Sequence, residues 1–146
     1  MFMTPSRLRL VSGVPLVREK LTRLYAARVS GNLAAFAGGF KPDGVFHLVG
    51  DARLVPEAGR HRGRAAIEAV LRNLYASFQY LDGLLVDMIV DLDAAAVRRH
   101  VTVRSQATGA VGEFEIAEHL SLDNGEIVEL VQFMDTASMA VLARRI

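Results

Sequence analysis

The 146-residue chain contains no cysteine. Disulfides, thiol nucleophiles and cysteine-ligated zinc are therefore excluded together. It also lacks any apolar run near the roughly 20 residues that a membrane span requires. Its charges nearly cancel, with 17 basic and 16 acidic residues. Phosphate-backbone binding needs a concentrated basic face, and the one dense group, Arg60, His61, Arg62 and Arg64, is short. Neither a nucleic-acid nor a membrane partner is expected. Near the start, Gly13, Pro15 and Arg18 break the apolar stretch after Arg7 and Arg9 before it reaches signal-peptide length. The expected location is cytoplasmic.

What remains is a globular composition, 51% hydrophobic and 23% charged, of a length that suits one domain. Such a chain can bury roughly 70% of its unfolded surface, so it needs no metal or disulfide to hold it. Residues 1–14 read as a loose arm. The spacing of Val17, Leu21, Leu24 and Tyr25 predicts a helix from Pro15 to Ser30. Asn32 is placed to cap a second helix over Leu33–Phe40. A strand follows at Asp43–Gly50, then a polar loop or irregular hairpin to Gly63. The stripe Ile67, Val70, Leu71, Leu74, Tyr75 and Phe78 predicts the longest clear helix.

From Leu81 the period changes to two, with Leu84, Val86, Met88 and Val90 on one face. Strands are predicted at Ala95–Thr108, Glu113–Leu122 and Glu126–Met134. Asp123-Asn124-Gly125 supplies a hairpin turn between the last two. A short helix capped by Asp135 ends the chain. Helices come first and antiparallel strands after, which is α+β order. Helices packed in the concave face of a curved, mostly antiparallel sheet would leave a cone with one open end.

This order resembles the nuclear transport factor 2-like superfamily, and within it the SnoaL-like polyketide cyclase group. Three stretches carry the resemblance: Val45-Phe-His-Leu-Val-Gly50, Gly63-Arg-Ala-Ala-Ile67, and Asp123-Asn-Gly-Glu-Ile-Val-Glu129 followed by Gln132-Phe-Met-Asp135. It spans about Val17 to Leu142. It implies a cone-shaped α+β barrel around an apolar pocket, a homodimer through the outer sheet face, and no metal or other cofactor. Members include ketosteroid isomerases, polyketide cyclases, epoxide hydrolases and pure binding modules, so the fold does not select the reaction.

His47 is the first candidate for chemistry. It falls where isomerases of the superfamily look to carry an aspartate base, and an imidazole can abstract a proton beside a carbonyl. The alternative is a buried histidine that only shapes the pocket. Arg98, Arg99 and His100 lie in mid-strand, where charge is costly unless paired. Arg99 shares a face with Val97, Val101 and Val103. It can stabilise an enolate there or pair with Glu115, Glu118 or Glu129, whereas Arg98 and His100 take the other face. The pattern does not decide which face lines the pocket.

Gln132 can orient a ligand but cannot serve as a base. It stands where the epoxide hydrolases look to carry an aspartate, which argues against that reaction. Tyr25, Tyr75 and Tyr80 are candidate hydroxyl donors, and Asp51 is set beside the mouth. Phe46, Met88, Phe114 and Met134 are the apolar candidates to contact a ligand. In a pure scaffold the same residues, with Phe40, would fill the cone. Four scattered histidines with no paired spacing predict no metal site. The resulting expectation is a protein that binds a small apolar organic ligand. Cofactor-free acid–base catalysis of isomerase or cyclase type stands beside a non-catalytic binding or dimerisation role.

Overall fold

The computed structural model describes residues 5–146, with side chains from residue 13 onward. The elements run α1 (Pro5–Val29), α2 (Leu33–Gly38), β1 (Phe40–Leu48), β2 (Gly59–Arg62), α3 (Arg64–Ser77), β3 (Phe78–Val90), β4 (Ala94–Ser105), β5 (Val111–Asp123), β6 (Glu126–Met134) and α4 (Thr136–Leu142). The expected α+β fold is observed.

Helix α1 begins at Pro5 rather than Pro15, so the expected loose arm is helical from Pro5 and residues 1–4 lie outside the described residues. Proline favours a first turn, but Pro15 stands inside the helix. The Arg-Leu-Arg-Leu run before it is built of strong helix formers. Asn32 caps α2 by accepting from the Ala35 amide at 3.1 Å. Asp135 caps α4 by accepting from the Ser138 amide at 3.0 Å. Both caps were legible from residue type alone.

The six strands form one sheet in the order β2-β1-β6-β5-β4-β3. Every pairing is antiparallel except β1 with β6. The loop after β1 does contain a hairpin partner, β2. The sheet curls around the helices without closing, with β2 and β3 as its two edges. Asn124 and Gly125 both take positive φ, 50° and 74°. That pair of angles is what a two-residue hairpin turn demands. At the α1–α2 corner, a Cβ on Gly39 would collide with the Leu24 side chain, so a glycine lets α1 close down there.

One core joins the helices to the inner sheet face. It includes Leu21, Phe36, Phe40, Phe46, Ile67, Leu71, Leu74, Ile116 and Leu130. The period-two reading holds in β4 and β5 and fails in β3. Leu84 and Val86 are 60% and 41% exposed, although they were assigned to one face with buried Met88. Two register shifts, at Tyr80/Asp82 and Leu85/Asp87, move the alternation. Bulges of this kind are common on edge strands. Val128 likewise leaves the face of Leu130 and is exposed, next to a shift between Ser121 and Leu122. Among the described residues no helix is long and apolar enough to cross a membrane.

Candidate functional site

Val17, Leu21 and Tyr25 are buried along one face of α1, and the next position on that face is Arg28. The helix therefore drives a guanidinium into the core, where it is 2% exposed. A buried charge must be paired and hydrogen-bonded, and all three Arg28 nitrogens are. Nε donates to the Tyr75 hydroxyl at 2.7 Å, Nη1 to Glu118 Oε2 at 2.7 Å, and Nη2 to Gln132 Oε1 at 2.6 Å. The guanidinium carbon also lies 4.9 Å from the Phe36 ring centroid and 5.8 Å from that of Phe46, within cation–π range.

Glu118 interrupts the apolar inner face of β5, between Ile116 and Leu120. Its second oxygen accepts from Arg99 Nε at 2.9 Å. Arg99 comes from the neighbouring strand, one diagonal step from Glu118, which pairs in register with Val97. One buried carboxylate thus serves two buried guanidiniums. Burial pushes the Glu118 pKa up, but Arg28 and Arg99 outweigh it and hold the carboxyl below its usual range. Burial opposes the Arg28 charge as well, and Glu118, Tyr75 and Tyr25 more than offset it.

Around this network some polar atoms have no partner. The Tyr25 and Tyr80 hydroxyls and Arg99 Nη2 are sealed from solvent and make no hydrogen bond of regular geometry. Tyr25 nonetheless lies near enough to Glu118 for the two to interact electrostatically. Tyr75 and Tyr80 pack against each other with ring centroids 4.6 Å apart and planes inclined at 48°. Between the end of α1, the end of α3 and the start of β3 lies a cavity of about 320 Å³. Its wall includes Arg28, Tyr75, Tyr80, Asp82, Arg99 and Val101. An apolar cavity with a few convergent polar groups is the usual form of a small-molecule site.

A model of the SnoaL-like domain matches residues 21–130. The chain belongs to the SnoaL-like family. No curated protein matches it by sequence. Among solved structures, TerC co-crystallised with polyporic acid is 15% identical with a TM-score of 0.76, covering 88% of this chain and 98% of that one. A nuclear transport factor 2-like protein from Burkholderia thailandensis is 22% identical with a TM-score of 0.75, covering 86% and 95%. A protein of ketosteroid isomerase-like fold from Catenulispora acidiphila, in complex with trimethylamine, is 16% identical with a TM-score of 0.67, covering 79% and 84%.

The SnoaL-like fold brings only some of the expected site residues together. Arg99 and Tyr75 line the cavity, and Arg99 takes the buried face while Arg98 and His100 point away from it. The structure shows Arg99 paired with Glu118, one of its three candidate partners, while the residue also borders the cavity. Tyr25 supports the Arg99 guanidinium at 5.7 Å from its ring centroid. Phe46 and Gln132 hold Arg28 from behind, and Gln132 Nε2 donates to the Met134 sulfur at 3.0 Å.

The others stand elsewhere. His47 is half-buried and pairs in register with Arg60 and Val131, whereas its neighbours Phe46 and Leu48 are fully buried. It lies on the outer face and does not line this cavity. His100 lies 3.8 Å from Glu113 on that outer face. Asp51 is engaged by Arg53 in the loop before β2, which holds its pKa down at about 2. Met88 and Phe114 pack into the core. Arg28 was not expected, Glu118 was expected only as one of three possible partners of Arg99, and Asp82 was not expected. The signals for the first two were present: a charge at an apolar position of a helical stripe, and another in an alternating strand.

The network sets a pH profile. Burial first, then Glu118, raises Tyr25 well above its ordinary value, against the opposing pull of Arg28 and Arg99. Burial and Tyr75 raise Tyr80. A phenol whose pKa is raised by folding contributes stability that is complete below the unfolded value of about 10 and is lost as pH rises through the folded value. Glu118, lowered by folding, has the opposite sign. Its contribution is present above about pH 4.3 and is lost as pH falls through the folded value. Urea-unfolding midpoints measured across pH should fall at both extremes. The alkaline fall should shrink in the Tyr25→Phe, Tyr80→Phe double variant, and an unchanged fall would place it in other groups.

Proposed function

We propose that this SnoaL-like chain binds a small, mostly apolar organic molecule through a carbonyl or similar oxygen, in the cavity beside Arg99. The observation that carries this reading is the Tyr80 hydroxyl, buried in the cavity wall without a partner. Buried polar groups in native structures are nearly always satisfied. Tyr75 adds a second donor. Its oxygen accepts from Arg28, which polarises its own O–H toward whatever lies beyond. The structural neighbours crystallised with polyporic acid and with trimethylamine lend support that this fold hosts small organic molecules. A larger groove of about 550 Å³ lies at the other end of β3, beside Leu16, Lys20 and Leu92, and among the described residues no unpartnered buried polar atom lines it.

Cofactor-free turnover of isomerase or cyclase type is the finer reading. The donors would stabilise an enolate oxygen. Glu118 is a poor base, because both its oxygens already accept from arginines. Asp82, at the exposed rim, is the carboxylate on the cavity wall and would take the proton. The reading includes a homodimer through the outer sheet face, where exposed Ile89 and Phe133 border a shallow depression with His119.

The test is a thermal-shift screen of aromatic and terpenoid ketones beside the hydrocarbons that match them in shape. A ketone at 100 times its dissociation constant should stabilise the chain by about 2.7 kcal/mol. Tyr80→Phe, which removes an unsatisfied buried hydroxyl, should unfold at or above the wild-type midpoint and bind about tenfold more weakly, the effect of losing about one hydrogen bond. Equal binding by Tyr80→Phe, or no preference for ketone over hydrocarbon, would refute the assignment.

A further inference from the structure

The cavity wall carries an uneven charge count. Arg28 and Arg99 bring two guanidiniums, both nearly inaccessible to solvent, and among the described residues Glu118 alone answers them. Each Arg28 nitrogen has a protein acceptor. Arg99 differs. Only its Nε is bonded, and Nη2 is sealed in without a partner. The other titratable groups facing this region are Tyr25, Tyr75 and Tyr80, which are neutral as phenols, and Asp82. The Asp82 carboxylate stands at the exposed rim, where water screens it. The dry part of the wall therefore holds one positive charge more than it holds negative, and every hydroxyl in it can donate.

From this imbalance we infer that the ligand is a monoanion, an aryl or alkyl carboxylate or a comparable oxyanion, whose charged oxygen is held by the terminal nitrogens of Arg99 and the Tyr80 hydroxyl. The inference rests on the cavity being a ligand site and adds the charge of its occupant. A guanidinium with its terminal nitrogens free is the side chain best shaped to grip a carboxylate, with parallel N–H donors in one plane. An anion would supply the missing counter-charge in a medium where Coulomb forces are strong. A cationic amine would meet two arginines and is disfavoured.

Benzoate, benzamide and benzylamine share a ring and a size and differ in charge. They are titrated separately into the isotope-labelled full chain and followed by amide and Arg Nε chemical shifts. At about pH 7.5 benzoate is ionised, and it is expected to bind at least about tenfold tighter than benzamide, with benzylamine weakest. Tyr80→Phe should weaken benzoate severalfold more than benzamide, and Arg99→Met should erase the preference. If Arg99→Met fails to fold, the wild type and Tyr80→Phe still decide the question. Benzoate and benzamide binding within about twofold of each other, or benzylamine binding tightest, would overturn the anion assignment and leave the pocket standing. Shifts at Gly31, Gly83 and Arg99 that stay still with all three probes would remove the pocket itself, and the anion with it.

Discussion

Glu118→Leu is expected to destabilise the fold by about 3–5 kcal/mol, the usual loss when one partner of a buried ion pair is removed. The total stability of a domain is only about 5–15 kcal/mol, so urea unfolding should show a much lower midpoint at an unchanged slope. The size follows from geometry. Among the described residues Glu118 is the one carboxylate hydrogen-bonded to Arg28 and Arg99, and its loss leaves two guanidiniums in the core without counter-charge. The exposed ion pairs provide the control. Glu19→Gln removes the partner of Arg23, where both side chains are more than half exposed, and should change stability by less than about 1 kcal/mol. A loss below about 1 kcal/mol for Glu118→Leu would mean that water entering the cavity solvates the arginines, and that the carboxylate orients them rather than holding the fold. Benzoate should then shift the midpoint of Glu118→Leu more than that of the wild type, because the variant has more positive charge to neutralise.

The sequence made the helices and their caps legible because each rests on local chemistry. Asn32, Asp135 and the Asn124-Gly125 turn act through the backbone within a few residues of themselves. The stripe from Ile67 to Leu74 needs only the helical period. What failed was non-local. The bulges in β3 arise from how an edge strand pairs with β4, and nothing in the order of its own residues marks where the register slips. The same limit governed the site. His47 was read as the first candidate for chemistry in the pocket, yet its neighbours Phe46 and Leu48 are the residues that join the core cluster. Both faces of β1 carry apolar residues, so alternation alone could not orient it. Arg99 was read onto one face with its valine neighbours, but whether that face lined the pocket stayed open, and only the assembled sheet turns it inward. Arg28 and Glu118 each sit on a buried face far apart in the chain. Their meeting depends on how α1 packs over the sheet, so that the Arg28 side chain reaches Glu118 on β5, which only the assembled fold displays.

Phe36→Ala is expected to cost about 3–5 kcal/mol, the range for a fully buried phenylalanine. Phe36 is 0% exposed and stands edge-on to Tyr25 and Phe40, with centroids 5.9 and 5.7 Å away. Its ring also lies beneath the Arg28 guanidinium. Two contributions therefore add: the cavity left in the core, and the loss of a π-face for a desolvated cation. Phe36→Leu separates them. Leucine refills most of the volume and offers no π-face, so it should recover much of the packing while still losing about 1–2 kcal/mol. Calorimetric unfolding of the two variants gives the partition, and the Arg28 Nε shift reports whether the guanidinium has moved. If Phe36→Leu is as stable as wild type and that shift is unchanged, Glu118, Gln132 and Tyr75 alone position Arg28. If the shift moves and benzoate binding weakens with it, the aromatic floor is part of what orients Tyr75, because Tyr75 takes its hydrogen bond from the guanidinium that Phe36 supports.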